Sequence, residues 1–306
     1  MRRIFAIGET VLDIIFKDNK PQAAKAGGSM LNSVVSLGRI GLPVSFISEY
    51  GRDDVGNMID KFLKENHVNT DLVYKFDDGK TALALAFLNE KNDANYSFYK
   101  NYPSKRLDIE FPTVTSEDII LCGSFYSIWL EIRSAFLEFI NNAKLNGALI
   151  IYDPNFRKSH LFELDRLKPL IIENISLANL IRGSNEDFAY IFGTNTIDDA
   201  YRACGSLCPN LVYTANIQGI EVKTASSKFQ FPVKKIKPVS TIGAGDNFNA
   251  GMIAAIYRDG IRADQLSKLN ESQWRKIISN AVDFASEVCL SYENYISLEF
   301  AKLHSM

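Results

Sequence analysis

Four short apolar runs constrain this chain more than anything else in it: "DIILCG" (118–123), "ALIIYD" (148–153), "LANLIRG" (177–183) and "NLVYT" (210–214). None of them alternates polar with apolar residues. A strand that reads this way is covered on both faces, as in a mostly parallel sheet packed between helices. The stretches near 130–146, 186–192 and 197–207 carry helical spacing instead, so strand and helix alternate.

The same alternation opens and closes the chain. "RIFAIG" and "VSFIS" read as strands. Between them "SMLNSVVSLGRIG" spaces Met30, Leu31, Val34, Val35 and Leu37 along one helical face. Asn57 is placed to cap "MIDKFLKEN", whose stripe is Met58, Ile59, Phe62 and Leu63. Two further helices are expected at about 245–259 and 273–290. The expectation is one α/β domain over 1–306, a three-layer sandwich around a mostly parallel sheet. Its 306 residues are ample for a large core.

Two extended excursions interrupt the pattern, at about 14–26 and 81–101. In the second, Leu83, Leu85 and Phe87 share one face and Ala82, Ala84 and Ala86 the other, before the polar "NEKNDAN" turns the chain into "YSFYK". That reads as an antiparallel hairpin. The two excursions together predict a small β-sheet lid, which is also the expected surface for a possible homodimer.

Charge and composition exclude several classes. The net charge is −2 with no long basic run, which gives nucleic acid no electrostatic handle. Glu9 and Asp13 break the first apolar run before a signal peptide could form. No apolar stretch is long enough for a membrane span. The four cysteines, at 122, 204, 208 and 289, are scattered as in a reduced cytoplasmic protein. Cys204 and Cys208 lie one helical turn apart, but with no second pair nearby burial is the better reading than metal.

Two glycine clusters carry the chemistry. "STIGAGDNFNAG" places Gly243, Ala244, Gly245 and Asp246 before a helical run, so backbone N–H groups and a helix dipole converge on one point where an anion fits. A dinucleotide fingerprint fails there because Phe248 replaces the third glycine. A nucleotide P-loop fails at Gly79–Thr81 because Tyr74 replaces its first glycine. Two readings stay open: Asp246 as the base of a phosphoryl transfer beside an N–H cradle, and Asp246 as an ordinary helix cap. The second cluster, "AGGSMLN", puts Gly27 and Gly28 before another helix with Asn32 one turn in, while "GETVLD" leaves Asp13 at a strand end. Carboxylate, amide and open backbone suit a polyhydroxylated ligand. A tight turn before a capped helix is the plainer alternative.

"GGSMLN" and "STIGAGD", together with "GETVLDII", "DPNFR" (153–157), "RGSNEDFAYIFG" (182–193) and "TANIQG" (214–219), resemble the ribokinase-like (PfkB) carbohydrate kinases in the right order along nearly the whole chain. "GETVLD" with "DPNFR" is most similar to the fructokinase and ketodeoxygluconate kinase branches. The resemblance implies ATP-dependent phosphorylation of a sugar hydroxyl, with fructose the expected acceptor and magnesium the expected ion. Other sugars, sugar acids and nucleosides are alternatives, as is a non-catalytic sugar-binding protein. It implies Asp246 as base, Gly243, Ala244 and Gly245 as anion hole, and Asp13, Gly27, Gly28 and Asn32 around the sugar. It further implies Asn155 and Arg157 near substrate or phosphate, and Thr214, Gly219 and Asn280 around the nucleotide.

The chain also departs from that pattern. Ser240 and Ile242 replace two residues that help hold a monovalent cation in many relatives. The motif that organises magnesium waters becomes Ser184-x-x-Asp187, so Asp187 is the expected contact to magnesium, through water. Asn216 replaces a glycine in "TANIQG", and the Gly-Ala expected near the C-terminus is absent from "CLSYENY".

Overall fold

The computed structural model describes residues 2–88 and 94–305. The chain opens with β1 (Ile4–Ile7), β2 (Val11–Lys17) and β3 (Lys20–Gly27), then α1 (Ser29–Arg39), β4 (Val44–Gly51), α2 (Asp54–Glu65), β5 (Val73–Phe76), β6 (Lys80–Leu88) and β7 (Ala94–Asn101). There follow β8 (Ile119–Gly123), α3 (Arg133–Leu145), β9 (Leu149–Asp153), α4 (Leu164–Leu177), β10 (Leu180–Ser184), α5 (Asn185–Phe192), α6 (Ile197–Cys204) and β11 (Leu211–Thr214). The last elements are β12 (Ile220–Lys223), β13 (Lys228–Phe231), α7 (Ala244–Arg258), α8 (Glu271–Cys289) and α9 (Leu298–Leu303).

The main sheet has the order β13-β12-β11-β10-β9-β8-β1-β4-β5. From β11 to β5 every neighbouring pair is parallel. The four runs singled out above are β8 to β11, and Ile119 to Gly123 and Leu149 to Asp153 are buried throughout. One apolar core lies on the side of α1, α2, α7 and α8, the other on the side of α3 to α6. This is the expected three-layer sandwich. Strand order reverses between β1 and β8, and in such sheets ligands bind beyond the carboxyl ends of the strands at that reversal. The antiparallel strands β12 and β13 at the edge were not anticipated.

Helix α2 starts earlier than its apolar stripe suggests. Asp53, not Asn57, is its N-cap, accepting the Gly56 N–H. Asp53 also accepts the Thr81 N–H at 2.9 Å and the Thr81 hydroxyl, so a contact 28 residues away decides the start.

The two excursions pair into one four-stranded sheet of order β3-β2-β6-β7, wider at its ends than the sequence suggested. Asp18 and Asn19, at φ 51° and 58°, make the two-residue turn between β2 and β3, a conformation that their short polar side chains tolerate. In the second hairpin, residues 89–93 of the expected turn lie outside the described residues. One row across the sheet reads Lys25, Asp13, Ala84 and Phe98. The alanine face is therefore the face of Asp13, and small side chains there keep space beside a carboxylate. No helix among the described residues is long and apolar enough to cross a membrane.

Candidate active site

Helix α7 begins with Gly243 as its N-cap, in left-handed backbone at φ 78°. A Cβ there would lie 2.7 Å from the Asn294 carbonyl, so only glycine lets the two segments approach this closely. Ala244 N–H turns back on Thr241 O at 3.3 Å, while the amides of Gly243 and Gly245 meet no acceptor among the described residues. Unpaired N–H groups at the positive end of a fifteen-residue helix form an anion cradle.

The cap reading of Asp246 does not hold, since the carboxylate turns away from its own helix. Its Oδ1 accepts the Ser29 hydroxyl at 2.6 Å and its Oδ2 accepts Asn32 Nδ2 at 2.8 Å, both from the first turn of α1. Ser33 donates to the Asp246 carbonyl at 2.7 Å, which fixes the backbone as well. Gly28 makes this docking possible: it is at φ 136°, and a Cβ would meet the Glu9 carbonyl at 2.2 Å. Burial pushes the Asp246 carboxyl up, against the pull of the Ser29 and Asn32 donors. A raised carboxylate with fixed orientation is the equipment of a general base.

Asn32 is thus placed differently from expectation. Its amide nitrogen serves Asp246, and its Oδ1 is buried without a partner among the described residues, leaving one acceptor for a ligand hydroxyl. Asp13 projects from β2 and makes no hydrogen bond to another described residue. Burial, and then the charge of Glu9, lift its pKa to about 7. A Cβ on Gly27 would come within 2.0 Å of Asp13 Oδ2, so the paired strand lies flush against the carboxylate. Tyr96 on β7 feels both Asp13 and Arg157, which puts the lid hairpin over the same region. Arg157 is exposed and its charge also reaches Asp246.

The floor is built from strand ends. Asp153, 1% exposed at the end of β9, accepts Asn249 Nδ2 at 2.6 Å, Arg182 Nη1 at 3.0 Å and the Asn155 N–H at 3.0 Å. Asn155 holds φ 40° in that turn. Thr214, at the end of β11, accepts Arg182 Nη2 at 3.0 Å. Gly219 and Asn216, at φ 109° and 46°, shape the turn after it, and Asn216 fills the position of the family's glycine because asparagine tolerates left-handed backbone.

Two expected contacts are already engaged. Ser184 and Asp187 form a capping box for α5: Asp187 Oδ2 accepts the Ser184 N–H at 2.7 Å and hydroxyl at 2.6 Å, and Oδ1 accepts the Phe156 N–H at 2.6 Å. Burial, and then Asp153, push the Asp187 carboxyl up. Asn280 donates to the Gly251 carbonyl at 2.6 Å, tying α8 to α7. The Cys204 and Cys208 thiols are buried, donating to the Ala200 and Asn210 carbonyls. Ser29, Arg182 and Asn249 were not among the expected site residues. Their partners are 217, 29 and 96 residues away, beyond the reach of any local motif.

Comparisons with known proteins bear on the fold and the family. The fructokinase of Vibrio cholerae O395 superposes with a TM-score of 0.84 at 21% identity, covering 100% of this chain and 99% of that one. The aminoimidazole riboside kinase of Salmonella enterica gives 0.83 at 20%, covering 99% of each. In sequence, probable fructokinase-4 of Arabidopsis thaliana is 27% identical over 282 residues, 88% of this chain and 86% of that one. Fructokinase-2 of Solanum lycopersicum is 28% identical over 285 residues, again 88% and 86%. The model of the pfkB family carbohydrate kinases matches residues 1–300, a span that takes in the lid strands and both glycine clusters. That match over nearly the whole length, on this fold, places the chain in the pfkB family of carbohydrate kinases.

Proposed function

We propose that the protein transfers the γ-phosphoryl group of ATP to a hydroxyl of fructose, with Asp246 as base. The observation that carries this reading is the double anchoring of the Asp246 carboxylate by Ser29 and Asn32 beside the unpaired amides of Gly243 and Gly245. The sugar lies between lid and body, with Asp13 and the free Oδ1 of Asn32 receiving its hydroxyls. Asp246 takes the proton of the attacking hydroxyl as the new O–P bond forms. The bond from the γ-phosphorus to the bridging oxygen breaks, and ADP leaves. The Gly243–Gly245 cradle stabilises charge on the phosphoryl oxygens during transfer, which is where such donors count most. Lid strands over the site exclude water, the competing acceptor.

ATP fits the cradle, because its phosphates are the anions that free amides at a helix N-terminus select. Magnesium bound with the nucleotide would supply charge neutralisation on the phosphates and would be reached through its waters. Asp187 retains one acceptor position on Oδ1 for such a water, having given the rest to Ser184 and Phe156. Fructose is supported by the relatives: the V. cholerae fructokinase was solved with fructose, ADP and a calcium ion. A homodimer through the lid belongs to the same reading. Phe87 and Tyr99 are 38% and 59% exposed on the face opposite Asp13, and size-exclusion chromatography with light scattering tests it.

One observation favours a second acceptor class. Arg157 is exposed beside the site with its charge felt at Asp246 and Tyr96, which suits a sugar acid carboxylate. The experiment is a coupled assay of ADP release against a panel of fructose, other hexoses, ribose, 2-keto-3-deoxygluconate and nucleosides. Turnover concentrated on fructose supports the first reading, concentration on the sugar acid supports the second, and no turnover on any acceptor overturns both.

A further inference from the structure

An arginine lies beneath the anion cradle. Arg182, 8% exposed in β10, lays its guanidinium along the first turn of α7. A Cβ on Gly245 would meet Nη1 at 2.8 Å, Nη2 at 3.4 Å and Cζ at 3.5 Å, all three of its nearest atoms. The glycine at 245 is therefore the space the guanidinium occupies. Phe248, one turn along, has its ring 5.2 Å from Cζ. The fork is held from below by Asp153 and Thr214, and Nε is buried with no partner among the described residues.

For a folded helix this placement has the wrong sign. The N-terminus of a helix already carries about half a positive charge, and a cation there is unfavourable. Stability does not explain it either, because a buried ion pair replaced by apolar groups is commonly neutral or better. Without it Asp153 would keep only two neutral donors, Asn249 and the Asn155 N–H, so the pair has to be tested as a pair. Asp153, 3.0 Å away, takes up the guanidinium charge from below, so what the cradle faces is the positive end of a fixed ion pair added to the helix terminus, in a water-poor site where such terms are strong. A phosphate anion bound at the cradle is what meets that positive end.

We propose that Arg182 is a positioning residue for phosphoryl transfer: it supplies the fixed counter-charge behind the Gly243–Gly245 cradle and holds that turn of α7 in place. The inference rests on the kinase reading given above. Charge on the transferring group is spread over its outer oxygens in the transition state, so a fixed cation behind the cradle acts on turnover more than on sugar binding.

The test compares four variants with the wild type in steady-state kinetics on the best acceptor. Arg182→Met with Asp153→Asn removes the cation without leaving its carboxylate unpaired, and should lower kcat roughly a hundredfold with sugar KM within about twofold. Arg182→Met alone should fall at least as far. Arg182→Lys keeps charge but loses the fork, and should recover about tenfold of the loss. Gly245→Ala keeps every amide and favours the helix, yet its methyl displaces the guanidinium. It should fold, with helix propensity offsetting part of the cost of moving the guanidinium, and lose kcat about tenfold or more. It keeps the proposal testable even where the Met variants fail to fold. Double-variant and Gly245→Ala proteins that retain kcat within about threefold, or that lose activity only through sugar KM, would overturn the role of Arg182 while leaving the kinase reading intact. Wild-type protein without turnover on any acceptor would overturn both.

Discussion

Ser29 and Asp246 stand 217 positions apart in the chain and 2.6 Å apart in the fold, hydroxyl to carboxylate. On the proposed reading, the proton acceptor is thereby oriented by the helix that begins at the sugar-side glycines. Asp246→Asn keeps the shape, and both α1 contacts once the Ser29 hydroxyl turns to accept from the new amide, but cannot take a proton. Turnover should fall by about a hundredfold to ten-thousandfold with sugar affinity nearly unchanged, read from kcat and from calorimetric binding. Near-normal turnover would return Asp246 to a structural role.

Removing the Ser29 donor should move the pH dependence. A hydrogen bond to the ionised form lowers a carboxyl pKa, so its loss raises it. Burial holds Asp246 high, Asn32 and Arg157 pull it down, and Asp153 pushes it up; all of these remain in Ser29→Ala. The acid limb of kcat against pH should therefore shift to higher pH, with kcat on the plateau lowered about tenfold by lost orientation. An acid limb at the wild-type pH would argue against the hydroxyl as a tuner.

Gly27→Ala separates sugar binding from chemistry. The added methyl collides with Asp13 Oδ2 at 2.0 Å and turns the carboxylate away. Losing one charged hydrogen-bond partner costs about 1.5–3 kcal/mol, roughly tenfold to a hundredfold in affinity. Sugar KM should rise by that factor while ATP KM stays put. An unchanged sugar KM would take Asp13 out of the sugar site.

Asp13 also gives the ligand-free protein a pH signature. Its pKa of about 7 in the fold lies above the ordinary aspartate value near 3.9 in the unfolded chain, so the fold holds that proton more tightly. The stabilisation is complete below about pH 4 and is lost as pH rises through about 7, amounting to a few kcal/mol at most. Thermal unfolding without sugar should therefore show a higher Tm at pH 5.5 than at pH 8, by more in the wild type than in Asp13→Asn. Equal pH dependence in the two proteins would contradict the assignment.

Potassium should not activate the enzyme. The Ser240 hydroxyl accepts the Ile242 N–H at 3.2 Å, and Ile242 offers no side-chain oxygen. Nearby, Lys25 donates to the Tyr292 carbonyl and to Glu293, each at 2.9 Å, so an ammonium already serves part of the C-terminal segment. Rate against added potassium chloride, with a tetraalkylammonium salt holding ionic strength constant, should stay flat. A several-fold rise specific to potassium would show that backbone carbonyls complete a cation site unaided.

What could be read from the residues follows the range of the interactions involved. The central strands are legible because burial on both faces writes itself into consecutive residues, and the lid hairpin because its two faces differ in size. The cradle at Gly243–Gly245 is legible because glycine is conspicuous. Ser29 and Arg182 are not. Each is an ordinary residue locally, and each acquires its role from a carboxylate or a helix turn that only the folded chain delivers. Asn32 lay between: its place near the site could be read, but its primary partner could not, since Asp246 enters from the other end of the chain. The start of α2 was misjudged for the same reason, as Asp53 is recruited by Thr81 on a strand of the lid.

Asp13 is carried by the four-stranded lid sheet, while Asp246 is carried by the sandwich. On the proposed reading, the share of recognition that the lid carries is therefore editable apart from reactivity, while Asn32 serves both. Substitutions along β2, β3 and β7 can retune which acceptor is welcomed without disturbing the proton acceptor or the phosphate cradle. A lineage can in this way change its diet by rewriting a few lid positions and inherit the transfer machinery whole.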